Sequence, residues 1–155
     1  MKTLVVYDSW YDNTAEIARA IGRGLAGRVD VVKVRAATNL DIRGYDLMIV
    51  GSPTHGGLPT PLIQEFLDSL VAPDALSHTR VAAFDTRVAM RWVKLFGFAA
   101  NWIAEQLEAK SGELTVAPEG FYVRGKAGPL RAGEVERAAH WAQTVAQTIN
   151  RLEKV

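Results

Sequence analysis

Ser9, Asn13 and Thr14 crowd into a short turn that directly follows the apolar run Leu4-Val5-Val6-Tyr7. The turn reads Asp8-Ser9-Trp10-Tyr11-Asp12-Asn13-Thr14, and a helical pattern begins at its last residues. The start of a helix leaves about four backbone N–H groups without partners and carries roughly half a positive charge. Such a place suits a phosphate monoester, and the neutral side-chain donors around it add hydrogen bonds. Two further segments close apolar runs in the same way: Ser52-Pro53-Thr54-His55-Gly56-Gly57 and Asp85-Thr86-Arg87. If the turn holds a phosphate, the rest of the chain should hold what the phosphate is attached to.

Regular elements must carry these segments to one place. Thr3–Asp8 reads as a buried strand. Asn13 to about Gly27 reads as an amphipathic helix, because Ile17, Ala18, Ile21 and Leu25 recur at helical spacing and Gly27 can end it. Val29–Val34 and Tyr45–Gly51 are strands, with only a loop or a single turn between them. Thr60 caps a helix whose first residue is Pro61 and which runs to about Leu70. Thr79–Phe84 is a fourth strand, and Ala99–Lys110 a helix. Glu113–Ala117, extended by Phe121–Val123, supplies a fifth strand, and Gly133–Leu152 the last helix. Strands alternating with helices imply right-handed crossovers and a parallel sheet covered on both faces. In such a sheet ligands bind beyond the carboxyl ends of the strands, where the strand order reverses. Asp8–Thr14, Ser52–Thr60 and Asp85–Gly97 should therefore meet at one rim.

The bulk numbers set limits. A chain of 155 residues, 48% apolar and with net charge +1, reads as one domain with a substantial core. That charge exerts no general pull toward nucleic acid. The absence of cysteine excludes disulfides, thiolate zinc sites and iron–sulfur clusters. A strand that begins within three residues of Met1 leaves no room for a signal peptide, and no apolar run reaches the ~20 residues that span a bilayer. A soluble cytoplasmic protein is the expectation. His55, His78 and His140 lie far apart, so no metal site is expected, and no catalytic acid–base pair is visible. Gly22-Arg23-Gly24 sits within a helix pattern and lacks the pyrophosphate geometry of a dinucleotide fingerprint.

With these residues assembled, the chain resembles the flavodoxin-like family over nearly its whole length. Flavodoxins hold the phosphate of FMN with a Ser/Thr-x-Thr-Gly-Asn/Gln-Thr turn after the first strand. Ser9 fits the first position, Asn13 the fifth and Thr14 the last. Ser52-Pro53-Thr54-His55-Gly56-Gly57 resembles the loop flanking the flavin ring, and Phe84-Asp85-Thr86-Arg87 falls where the second such loop begins. Pro118-Glu119-Gly120-Phe121-Tyr122-Val123 followed by Gly128-Pro129-Leu130 is similar to the tail of a short-chain bacterial subgroup. The resemblance implies an α/β, flavodoxin-like three-layer sandwich: a five-stranded parallel sheet in the order 2-1-3-4-5 with helices on both faces. It also implies FMN as cofactor. Trp10, Tyr11, Asp12 and Pro53 join the implied cofactor contacts by their place in the loops.

Two positions depart from the family pattern. Tyr11 stands for the usual threonine, and its phenol still donates one hydrogen bond. Asp12 stands for the usual glycine, whose positive φ lets the backbone approach the phosphate. Aspartate tolerates that conformation, but a carboxylate ~5 Å from a phosphate dianion repels it by a few kcal/mol at an effective dielectric of ~20. Weakened FMN binding follows if the side chain faces the phosphate, and not if it turns to water.

In the family a loop peptide beside the flavin can flip on reduction, and Gly56-Gly57 is the candidate here. Thr54 and His55 would contact the ring edge, or His55 is simply an exposed loop histidine. Trp10 would cover the phosphate or ribityl chain, pack on the flavin, or pack on a neighbouring loop. Arg87 would stabilise an anionic reduced flavin or pair with an acidic neighbour. Residues 88–103 are strongly apolar, with Trp92, Phe96, Phe98 and Trp102 beside Arg91 and Lys94. That segment is a docking patch for a partner or a second copy (a homodimer), a weak contact with a membrane surface, or a core-facing helix start. Trp92 or Phe96 stacking on the flavin is a further reading. The expected function is an FMN-binding electron carrier working with an unidentified redox partner protein. The alternatives are a flavin-dependent oxidoreductase for a quinone or porphyrinogen-like substrate, and a binding or regulatory domain without FMN.

Overall fold

A computed structural model of the chain describes residues 1–89 and 97–155. Its elements in order are β1 (Lys2–Tyr7), α1 (Asn13–Gly24), β2 (Arg28–Lys33), α2 (Val34–Ala37), a 3-10 turn (Ile42–Gly44), β3 (Leu47–Pro53), α3 (Pro61–Asp68), β4 (Arg80–Val88), α4 (Ala99–Ala109), β5 (Glu113–Leu114), β6 (Glu119–Val123) and α5 (Glu134–Glu153). The strands form one sheet in the order β2-β1-β3-β4-β5, with β6 also pairing with β4. Every pairing is parallel. The expected three-layer architecture and strand order are those observed.

Alternation along the strands divides the core between two faces. Val5, Tyr7, Ile49 and Phe84 pack with Ile17 and Ile21 of α1 and Trp141, Val145 and Ile149 of α5. Leu4, Val6, Met48 and Val50 pack with Ile63, Phe66 and Leu67 of α3 and Ile103 and Leu107 of α4. Full burial of each such side chain is worth about 1.5–3 kcal/mol before the entropy of ordering. Phe84, Phe121 and Trp141 meet edge to face, with ring centroids 6.1–6.3 Å apart, and lock α5 over the end of the sheet.

The connection after β2 holds the single helical turn expected, α2, followed by the 3-10 turn, whereas β4 runs on to Val88, so Asp85, Thr86 and Arg87 lie in a strand rather than in a loop. The fifth strand is two pieces: β5 pairs with Arg80–Val81 and β6 with Phe84–Val88, and between them Thr115 still donates its N–H to Val81 O (3.0 Å) before the ladder pauses over residues 116–118. Pro118 has no N–H to give to a ladder, which explains a break there.

Register brings the loops together. Tyr7 lies beside Gly51, Gly51 beside Phe84, and Phe84 beside Glu119. At this level β1 ends, β3 runs two residues further to Pro53, and β4 and β6 run four further to Val88 and Val123, so the carboxyl ends rise in steps along one edge. β1 stands between β2 and β3, where the direction of winding reverses.

Candidate functional site

The turn after β1 is shaped as a place for an anion. Asp12 precedes α1 with φ 67°, a left-handed conformation that folds the chain back into the helix. Ser9 donates its N–H to Asp8 Oδ1 (2.9 Å), and Ser9 Oγ accepts the Ala15 N–H over a long 3.3 Å. Among the described residues, no protein acceptor takes the backbone N–H of Trp10, Tyr11, Asp12, Asn13 or Thr14. Thr14 is buried at the floor, and its hydroxyl lies 2.8 Å from the hydroxyl of Thr86. That pair shares one hydrogen bond, so Thr86 can donate to Thr14 while Thr14 donates outward.

These groups open into a cleft of ≈ 120 Å³. Ser9, Trp10, Tyr11, Asn13 and Thr14 line one side, Pro53, Thr54 and His55 a second, and Thr86 and Arg87 a third. The rings of Trp10 and His55 meet edge to face at 5.1 Å, so the first two loops form one aromatic wall. Thr54 N–H donates to Thr86 O (2.9 Å), which ties the second loop to the end of β4.

Four expected site residues do not line the cleft. Gly56 and Gly57, both at positive φ (56° and 80°), form the two-residue turn that carries His55. His55 and Leu58 exchange two backbone hydrogen bonds around it (2.9 and 3.1 Å), a geometry that suits glycine at both central positions. The Asp12 side chain is 71% exposed and its Oδ1 lies 3.5 Å from Arg19 Nη2. The carboxylate is turned outward, which removes most of the repulsion expected from the sequence. Asp85 is wholly buried, and its place is structural.

That structural place follows from α4. Phe98, the residue before α4, offers no capping side chain, so the helix start borrows acceptors from the loop after β3 and from β4. Ala99 N–H donates to Thr54 Oγ1 (3.1 Å) and Ala100 N–H to Asp85 Oδ2 (3.0 Å). Arg87 then neutralises Asp85 through paired bonds from Nε and Nη2, each 2.7 Å. Burial pushes the Asp85 carboxyl above its ordinary value, against the opposite pull of Arg87 and the helix N–H. The guanidinium also stacks on Phe98, with Cζ 3.4 Å from the ring centroid. Of the two roles open to Arg87 in the sequence, the structure supplies the acidic neighbour, with Arg87 forming part of the cleft wall. Trp92, Phe96 and the rest of residues 90–96 lie outside the described residues.

Val88, Val123 and Lys126 line the cleft without having been expected from the sequence. Val88 ends β4 and Val123 ends β6, side by side in register. Lys126 stands in the turn Gly125-Lys126-Ala127-Gly128, closed by Gly128 N–H to Gly125 O (2.9 Å). The pair of glycines three apart after a strand was the available sign of that turn.

The donor set fits the phosphate and ribityl chain of FMN: a row of unclaimed N–H groups, uncharged hydroxyls and an amide. The volume is below the ~300–1,000 Å³ of sites that engulf a drug-sized ligand. Among the described residues no cluster of metal-ligating side chains occurs, and no helix is long and apolar enough to cross a membrane.

Comparisons with known proteins agree with this geometry. The family model described as Flavodoxin matches residues 5–141. Oxidised flavodoxin 1 from Bacillus cereus is similar over 95% of this chain and 98% of its own, with a TM-score of 0.76 and 17% identity. A flavodoxin from the domain Archaea covers 97% of this chain and 99% of its own at 22% identity, with a TM-score of 0.76. Oxidised flavodoxin 2 from Bacillus cereus is 25% identical over 95% of this chain and 99% of its own, with a TM-score of 0.75. No curated protein sequence matches the chain at a significant level.

Proposed function

Because the chain belongs to the flavodoxin family, we propose that it binds FMN in the cleft at the carboxyl end of β1, β3 and β4 and carries electrons between redox partner proteins. Bound FMN supplies the redox chemistry at its ring, and the protein supplies binding, orientation and electrostatic tuning. The observation that carries the reading is the row of N–H groups from Trp10 to Thr14 with no protein acceptor among the described residues, opening beside an aromatic wall.

In this reading Ser9, Asn13 and Thr14 add side-chain hydrogen bonds to the phosphate beside the backbone donors. Thr86 holds the Thr14 hydroxyl in place. Trp10 and His55 cover one face of the nucleotide and keep water from it. Thr54 has its hydroxyl committed to the start of α4. It therefore positions the second loop, and its backbone carbonyl rather than its hydroxyl is what it can offer a ligand.

Titration of the flavin-stripped protein with FMN, followed by visible absorbance and fluorescence quenching, tests the proposal. Stoichiometric uptake supports it, and no uptake at high micromolar FMN refutes it. Turnover of NAD(P)H or a quinone without an added reductase would replace the carrier reading with an oxidoreductase.

A further inference from the structure

We infer that Lys126 is a cationic phosphate contact, which makes the site select a phosphorylated flavin over its dephosphorylated form by charge as well as by hydrogen bonds. The inference rests on the FMN reading above and adds a residue to it. Three observations carry it.

The first is placement. Lys126 lines the cleft together with Ser9, Asn13 and Thr14. Its turn is docked on the phosphate turn itself. A Cβ at Gly128 would lie 2.5 Å from Asn13 Oδ1, so the Gly128 backbone rests directly on the Asn13 side chain. Lys126 is two residues away in the same turn, and its flexible four-carbon stem can carry the ammonium toward the cleft that it lines.

The second is fixation. Arg124 N–H donates to Pro129 O (2.8 Å) and Arg131 N–H to Tyr122 O (2.9 Å), while Val123 and Leu130 pair as an antiparallel bridge. The turn is the tip of a stitched hairpin that continues β6. A charge held on such a support approaches a bound anion with less entropy lost than one on an open loop.

The third is electrostatic need. Asp8, at the root of the phosphate turn, is buried, and its Oδ2 has no partner among the described residues. Its negative charge opposes a phosphate dianion. Of the other two charged groups close by, Asp12 is offset by Arg19, and Arg87 is committed to Asp85. Among the described residues Lys126 makes no ion pair with any carboxylate. Among the described residues that line the cleft, Lys126 is a cation free to balance the phosphate.

The test compares FMN with riboflavin, which lacks the phosphate, on the stripped full-length protein, its Lys126→Gln variant and its Lys126→Arg variant. Dissociation constants are read from flavin fluorescence quenching at low and high salt. Lys126→Gln is expected to weaken FMN binding roughly 10-fold and to leave riboflavin binding within about twofold, as for loss of one charge-assisted contact. The salt dependence of FMN binding should flatten in the same variant, and Lys126→Arg should retain most of the parent's preference. If Lys126→Gln weakens both flavins equally, the ammonium lies on the ring or ribityl chain and the inference is overturned. An unchanged ratio of FMN to riboflavin affinity also overturns it. A parent protein that binds neither flavin refutes the FMN reading itself, which is a distinct result. Lys126 is exposed on a turn, and an unchanged thermal melt confirms that the variants are folded.

Discussion

Replacing Arg87 by methionine should destabilise the fold in a way that depends on pH. The substitution keeps a linear apolar side chain beside Phe98 and removes the guanidinium that stacks on that ring. Asp85 then remains wholly buried, with only the Ala100 N–H (3.0 Å) and the Thr54 side chain to stabilise its charge. Breaking a buried pair from one side costs about 3–5 kcal/mol. Because those two bonds persist, the lower end, about 3 kcal/mol, is the expectation. For a domain of this size that is a fall in Tm of about 6–12 °C.

The pH dependence follows from the direction of the Asp85 shift. Its carboxyl already sits above the ordinary value in the native state, and loss of Arg87 raises it further. A carboxyl raised in the folded state favours the protonated native form. Stability withheld at high pH therefore returns as pH falls through the folded-state value. The gap in Tm between parent and Arg87→Met should be widest near pH 8 and narrow toward pH 5. The double variant Asp85→Asn/Arg87→Met, which buries no charge, should recover most of the loss at pH 8. Thermal melts by circular dichroism across that range are the assay. A loss below about 1 kcal/mol, a gap that ignores pH, or a double variant worse than the single one would refute the account of Asp85 as a buried cap kept charged by Arg87.

Further expectations can be checked on the same preparations. Asp12→Gly relieves a left-handed backbone strain of roughly 1 kcal/mol and gives up only an exposed ion pair, so Tm should rise by a few degrees. FMN affinity should change by less than about threefold, because the carboxylate faces Arg19 and solvent; a tenfold gain would place it against the phosphate. Gly128→Ala, at φ 97° and pressed on Asn13, should weaken FMN binding about tenfold or more, read by the same quenching titration. Glu134 accepts the Tyr122 N–H at 2.7 Å and pairs with Arg137, which holds its carboxyl below the usual range. The stability this supplies is present above about pH 4.3 and lost as pH falls through the lower folded-state value, so Glu134→Gln should flatten the acid limb of a Tm-against-pH curve.

Much of the fold was legible because the strands are short apolar runs separated by amphipathic stretches. The split of the last strand was not, since Glu113-Leu114 and Glu119–Val123 find partners only through β4, and pattern alone cannot say where a ladder pauses. The site was legible in its donors. Ser9, Asn13 and Thr14 announce themselves by type and by the helix that follows. Asp85 was expected in a loop beside the ring, whereas β4 runs past it and its buried carboxylate serves a helix start from outside that helix. Lys126 was hidden because its relation to Asn13 is set by how β6 continues into its hairpin, a contact across more than a hundred positions of sequence.

The interruption at residues 116–118 bears on how the molecule behaves in a crowd. A sheet border is a template for another chain when it is long, flat and apolar. On one border β5 is two residues long and β6 is five, with a proline-bearing gap between them. On the other, β2 carries Arg28, Asp30 and Lys33 among its six residues. One margin is broken and the other is studded with charge, so neither offers the long apolar ribbon that a second chain extends most readily.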